Sequence, residues 1–190
     1  MMGQAVGTAA AIAFRTGETP RGVWEHHIEE LRQTLLDQDQ FIPNAKRRIP
    51  ELTLRAETNC EILRDGWDRD WDDGEHGASF ASGEAAVYRF ADEETVHGVR
   101  LVFDSDLSDL KRQRNVETSG ECHEMPALLP RSFRLEYRDG GEWKEFASVA
   151  ENRHRYVKLS GAPCRCREFR FVAGEAWGGG ASRVFSFDVF

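Results

Sequence analysis

The sequence predicts a mainly β protein, an antiparallel jelly-roll-like β-sandwich preceded by a short two-helix N-terminal segment. Three observations predict it. Before about residue 50 the chain is rich in Ala, Gln, Leu and Glu with apolar residues recurring at helical spacing. After it, short aromatic and β-branched runs alternate with Gly, Asp and Asn, and Phe133-Arg134-Leu135-Glu136-Tyr137-Arg138 alternates strictly between apolar and charged residues. No helical stretch intervenes between these runs, which favours an antiparallel sheet folded on itself.

Taken in order, residues 3–16 form a helix built from Gly3, Ala5, Gly7, Ala9, Ala10, Ala11 and Ala13, and Gly17 supplies a left-handed C-terminal cap. Glycine inside a helix costs roughly 1 kcal/mol relative to alanine, so Gly3 and Gly7 imply a backbone that something approaches closely. Thr19-Pro20 reads as an N-cap and first-turn proline, and Ile28, Leu31 and Leu35 place an apolar stripe on a second helix ending near Gln40. Domain limits follow at 1–45 for the helices, 46–57 for a linker containing Lys46-Arg47-Arg48-Ile49-Pro50, and 58–190 for the sandwich. Strands are expected at 87–90, 99–103, 133–138, 143–149, 156–159, 169–172 and 184–190, with Asp139-Gly140-Gly141 as a hairpin turn.

Composition narrows the function classes. The 190 residues carry 25 Lys and Arg against 33 Asp and Glu, a net charge of −8 that repels nucleic acid and anionic lipid. Neither partner is expected. The most apolar stretch, 5–14, is too short to span a bilayer and has no basic residue before it, so no membrane span or signal peptide is expected. Four cysteines, at 60, 122, 164 and 166, are too sparse and irregular for a secreted disulfide framework, which makes the cytoplasm the expected compartment.

The run Met2-Gly3-Gln4-Ala5-Val6-Gly7-Thr8-Ala9-Ala10-Ala11-Ile12-Ala13, with Gly17, Thr19-Pro20-Arg21, Leu31, Leu35-Leu36 and Phe41-Ile42-Pro43, resembles the C-terminal end of bacterial FAD-dependent oxidoreductases of the glutathione-reductase superfamily. The resemblance implies that residues 1–45 close an FAD-binding domain. It makes Met2, Gly3, Gln4 and Ala5 the flavin-facing positions, where a helix dipole favours reduced flavin. A strand with a G-x-G-x-x-G turn is missing, so the chain reads as the tail of a longer flavoenzyme. FAD is expected in the parent and not in this chain alone, and no catalytic residue is assigned. The missing FAD-binding portion is the first expected partner. A second copy, covering the Gly and Ala helix, is another.

Further along, Cys60-Glu61-Ile62-Leu63-Arg64-Asp65-Gly66-Trp67, Val87-Tyr88-Arg89-Phe90, Val96-His97-Gly98-Val99-Arg100-Leu101 and Val184-Phe185-Ser186-Phe187-Asp188-Val189 are similar in order to discoidin-like, galactose-binding-like domains. That resemblance implies loops at one end that contact carbohydrate or a protein surface. The segment from Asp65 to His76 is the candidate loop, with Asp65, Trp67, Asp70, Trp71 and Asp72 as ligand or partner residues. Three uses are open to it: a solvated loop with an indole in the core, a sugar or partner contact, and calcium binding. Asp68, Asp70 and Asp72 have an alternating spacing, but Glu75 comes too early to complete an EF-hand, and no metal site is assigned.

Residues between 103 and 131 make a long loop with acidic Asp104, Asp106 and Asp109 and basic Lys111, Arg112 and Arg114, expected to border the flavoenzyme's cleft. Glu121-Cys122-His123-Glu124 lacks the spacing of a metal site, Cys164-x-Cys166 lacks the C-x-x-C redox spacing, and His97 and His154 lack triad partners. Two principal functions remain: the tail of an oxidoreductase with an accessory sandwich, or a self-sufficient carbohydrate- or protein-binding module. A purely structural cap on a larger enzyme is a third.

Overall fold

A computed structural model describes residues 2–106 and 124–190. The chain divides into two compact units, 1–48 and 49–190. No helix among the described residues is long and apolar enough to cross a membrane.

In the first unit, α1 (Met2–Thr16) ends at Gly17 with φ +74°, where the Glu18 N–H returns to the Ala13 carbonyl at 3.1 Å. Thr19 caps α2 (Pro20–His26), its hydroxyl accepting the Gly22 N–H at 3.1 Å. The expected single second helix is two, because His27 leaves helical geometry at φ −128° and α3 (Ile28–Asp37) begins after it. The rings of His26 and His27 are hydrogen-bonded to Glu18 and Glu30, carboxylates on opposite sides of the break. No described atom lies within 4 Å of where a Cβ on Gly3 or Gly7 would stand, so the close packing expected there is not supplied by the described residues.

The predicted linker 46–57 is largely ordered and belongs to the second unit from residue 49. Its α4 (Glu51–Arg55) is pinned by buried Thr53, whose hydroxyl donates to the Val189 carbonyl at 3.0 Å and accepts the Val189 N–H at 2.9 Å. The strands are β1 (Glu57–Thr58), β2 (Ala78–Phe80), β3 (Ala85–Phe103), β4 (Phe133–Asp139), β5 (Glu142–Val149), β6 (Tyr156–Ala173) and β7 (Ser182–Val189). Four of the expected strands are halves of two: 87–90 and 99–103 both lie in β3, while 156–159 and 169–172 both lie in β6. Sequence periodicity breaks between the halves because the β3–β6 ladder shifts register between Arg89 and Glu94 and again between Val96 and Gly98.

All pairings are antiparallel, in the order β2-β7-β3-β6-β4-β5 with β1 on β3. The first half of β3 pairs with β1 and with the second half of β6, which continues the sheet to β4 and β5, whereas its second half pairs with β7 and the start of β6. The curled sheet thus closes on itself around phenylalanines. Phe171 on β6 meets Phe80, Phe103, Phe133 and Phe187 with ring centroids 5.8–6.2 Å apart. Tyr88 stacks on Phe187 at 4.9 Å and donates its buried hydroxyl to the Phe187 carbonyl at 2.6 Å. The β4–β5 turn is the expected hairpin, with Gly140 and Gly141 at φ +58° and +95°, values that suit a primed two-residue turn.

Phe171 touches both layers, so Phe171→Ala is expected to destabilise the second unit by about 3–5 kcal/mol. Urea denaturation followed by tryptophan fluorescence measures this; an unchanged midpoint would show that the rings do not form one core.

Candidate functional site

One end of the sandwich collects the segment leading into β2, the end of β3, the connections on either side of β6 and the start of β7. The Asp65–His76 loop is built there by its own polar groups. Asp65 accepts the Trp67 N–H at 2.8 Å on one oxygen and contacts His76 Nδ1 at 2.6 Å with the other. Asp70 accepts the His76 N–H at 3.0 Å, and Trp71 and Gly74 exchange backbone hydrogen bonds across a tight turn. Asp72 and Asp73 occupy that turn at φ +54° and +60°, a left-handed conformation that Asp tolerates better than most side chains.

Around this frame the Trp67 ring lies 6.4 Å from Trp71, in a stacked arrangement with 28° between planes, and 5.5 Å from His76. Both indoles are half-buried, and Asp72 is exposed. Asp65, Trp67, Asp70 and Trp71 are therefore brought together around His76, with Asp72 at the turn. Neither indole is fully in the core, so an aromatic surface remains open to solvent. Met2, Gly3, Gln4 and Ala5 belong to the other unit, in the first turn of α1; Met2 is 87% exposed and Gln4 donates to Gln38 Oε1 at 2.8 Å.

Three arginines from the sandwich hold the loop. Arg183 donates two hydrogen bonds to Asp70, at 2.7 and 2.8 Å, and one to Asp104 at 3.2 Å. Arg100, 1% exposed, pairs with Asp68 at 2.6 Å, and Arg155 donates to the Asp68 carbonyl and, at 2.8 Å, to that of Phe103. Asp68 and Asp70 thus face guanidinium groups, a structural use of two of the loop's alternating carboxylates. Among the described residues no three His, Cys, Asp or Glu side chains converge as a metal site. Burial alone would raise the Asp70 carboxyl, but the Arg183 hydrogen bonds, the His76 N–H and the nearby positive charge of Arg183 together outweigh it and hold the group below its ordinary value.

A second aromatic at this end was not singled out by sequence reasoning. Trp177 donates its indole N–H to the Asn152 carbonyl at 2.7 Å, and the Arg131 and Arg153 guanidiniums lie 5.2 and 5.7 Å from its ring. Backbone hydrogen bonds from Trp177 to Leu129 and from Arg183 to Leu128 join this group to the same end. The Arg183–Asp70 pair spans 113 residues, and nothing local to either residue announces it. Of the long loop, Asp104 and Asp106 are described and tied by a 2.8 Å hydrogen bond from the Asp106 N–H. Asp109, Lys111, Arg112, Arg114 and Glu121-Cys122-His123 lie outside the described residues.

No family model and no curated protein matches the chain. Among solved structures, it is similar to chitosan-binding module 2 of a chitosanase/glucanase from Paenibacillus sp. IK-5, determined in complex with chitotriose. Identity there is 12%, the TM-score is 0.51, and the match covers 74% of this chain and 99% of that one. The family 32 carbohydrate-binding module of Streptococcus pneumoniae EndoD matches at 15% identity and TM-score 0.49, over 70% of this chain and 92% of that. SpGH29 matches at 18% identity and TM-score 0.49 over 74% of this chain, which spans only 28% of that longer protein. The likeness is one of fold, an antiparallel β-sandwich as expected from the sequence. The flavoenzyme resemblance of residues 1–45 has no counterpart among these three.

Because the Asp70 carboxyl is held below its ordinary value of 3.8, its pairing contributes stability above that pH and loses it as pH falls through the lower folded-state value. Asp70→Asn is expected to lower stability by up to about 1 kcal/mol near neutrality, the size of a partly screened surface pair. The difference from the unsubstituted protein narrows below pH 3.8, and urea melts across the acid range check it. A difference independent of pH would mean that the ion pair does not hold the loop.

Proposed function

We propose that the second unit is a carbohydrate-binding module that acts through the Asp65–His76 loop without catalysis. The observation that carries this reading is the half-exposed Trp67–Trp71 pair on a frame fixed by Asp65, Asp70 and His76. Sugar rings present C–H faces that pack on indoles, and a rigid platform loses little entropy on binding. Exposed Asp72 and Asp73 stand beside that platform as acceptors for sugar hydroxyls. A related fold whose structure holds chitotriose adds support, so chitooligosaccharides and galactosides are the first ligands to test.

A second reading concerns the first unit. α1 exposes Met2, Val6 and Phe14 at 87%, 68% and 93%, and no described residue packs where a Cβ on Gly3 or Gly7 would stand. A large uncovered apolar helix face favours docking on another protein body. In this reading that body is an FAD-binding domain, and Met2, Gly3, Gln4 and Ala5 lie toward its flavin. The sandwich is then the accessory domain of a flavin-dependent oxidoreductase.

For the module, titration calorimetry with chitotriose and a glycan panel is expected to detect binding that Trp67→Ala or Trp71→Ala weakens roughly tenfold, the equivalent of 1.4 kcal/mol. Retention of full affinity by both variants would remove the loop from the site. For the helical unit, a complex of this chain with its docking body, captured from the native host through the chain, is expected to carry flavin absorbance, and a captured complex without flavin counts against the second reading.

A further inference from the structure

β6 starts beside Asn152 and Arg155 and finishes beside Glu175 and Trp177, all at the loop end of the sandwich. Its middle therefore lies at the other end, where the β4–β5 turn also falls. There the β3–β6 ladder pairs Gly98 with Ser160 and Val96 with Cys164, so Gly161, Ala162 and Pro163 stand opposite His97 alone. Proline has no N–H to give to a ladder, and a bulge is where a strand tolerates it. Gly161 makes room for β5, because a Cβ there would stand 3.2 Å from the Phe146 ring. That ring is held edge-on against Phe169, with centroids 5.3 Å apart.

Between this bulge and the β4–β5 hairpin runs an open groove of about 450 Å³, within the size range of small-ligand sites. Tyr137, Phe146 and Pro163 line it. Glu93, Asp139 and Glu145 bring three carboxylates to it, against the single guanidinium of Arg165. These carboxylates are not equally engaged. Glu93 pairs with Arg165 at 2.8 Å and Asp139 with Lys144 at 2.5 Å, exposed pairs that water and salt weaken. Glu145 accepts a hydrogen bond from the Ser148 hydroxyl at 3.1 Å and has no cationic partner among the described residues.

We propose that this groove is a second binding site of the sandwich, independent of the Asp65–His76 loop, and that its ligand carries a protonated primary amine on an amino sugar or an aliphatic polyamine. An ammonium seated against Glu145 supplies the cation that this carboxylate lacks, through a charge-assisted hydrogen bond. The Tyr137 and Phe146 rings receive the carbons beside the ammonium and add cation–π attraction. Glu93 and Asp139 extend the negative rim, so a ligand with two or more ammonium groups gains further contacts. An N-acetylated sugar brings no charge to the groove, and an anion is repelled by it.

Titration calorimetry of the full chain carrying Trp67→Ala and Trp71→Ala, which removes the indoles of the loop, tests the groove by itself. The probes are spermidine and chitotriose, whose sugars carry free amino groups, with N-acetylated chitotriose as the uncharged counterpart. At least one amine is expected to bind, which identifies the carrier, and its affinity is expected to fall as sodium chloride is added. The N-acetylated trimer is expected to release no heat. Glu145→Gln on the same background is expected to weaken binding roughly tenfold, the scale of one lost charge-assisted contact. Glu57→Gln, which removes a carboxylate on β1 outside the groove, is expected to leave it unchanged. No binding of either amine, equal affinity for the N-acetylated trimer, or equal weakening by the two glutamate substitutions would each overturn the proposal. Repeating the Glu145→Gln comparison with spermidine in the chain that keeps both indoles holds the test intact even where the loop variant fails to fold. The loop reading stands or falls on the indole substitutions alone, so its failure and that of the groove are told apart.

Discussion

The buried guanidinium of Arg100 is the constraint on which the loop end of the sandwich depends. It sits on β3 with Asp68 at 2.6 Å, Asp188 at 3.8 Å, the Ser186 hydroxyl at 3.0 Å and the Tyr156 ring centroid at 5.3 Å. A charge taken out of water is stabilised only where opposite charge and hydrogen-bond acceptors are fixed around it. Meeting that requirement couples β7, through Asp188 and Ser186, to the loop, through Asp68. The indoles of Trp67 and Trp71 therefore hang from a point in the core, even though they are themselves half open to water.

Arg155 and Arg183 extend the same arrangement outward. Both guanidiniums also lie over the Phe185 ring, at 5.3 and 5.1 Å, so one aromatic side chain orients the pair. Their partners are carboxylates and carbonyls of the loop and of the end of β3. Here the acidic composition of the loop is largely a matter of positioning. Asp65 ties the loop to itself through His76, Asp68 and Asp70 bind arginines of the sandwich, and the exposed carboxylates of Asp72 and Asp73 remain beside the aromatic surface.

Much of the fold was legible in the sequence where it depends on near neighbours. Gly17, Thr19-Pro20 and Gly140-Gly141 end or begin their elements for local reasons, and the alternation at Phe133–Asp139 states one buried face. The breaks in β3 and β6 were misread because a bend interrupts alternation without ending the backbone ladder. Short β1 and β2 carry too few residues to show a period, and α4 depends on Thr53 meeting the distant Val189. At the candidate site the aromatic and acidic residues were visible, but their arginine partners were not. Arg100 lies within an expected strand and Arg155 and Arg183 each stand just before one, and nothing local to them announces the loop as their partner.

Because β3 and β6 each run through both layers, neither layer of the sandwich owns its strands. Losing hydrogen bonds in one half of the β3–β6 ladder loosens the other half along the same covalent chain. The second unit is thus expected to open as one cooperative foldon, with slow amide exchange shared by the two halves of each long strand. The loop end is then expected to share the protection of the whole sandwich through Arg100, which ties Asp68 to β3 and β7.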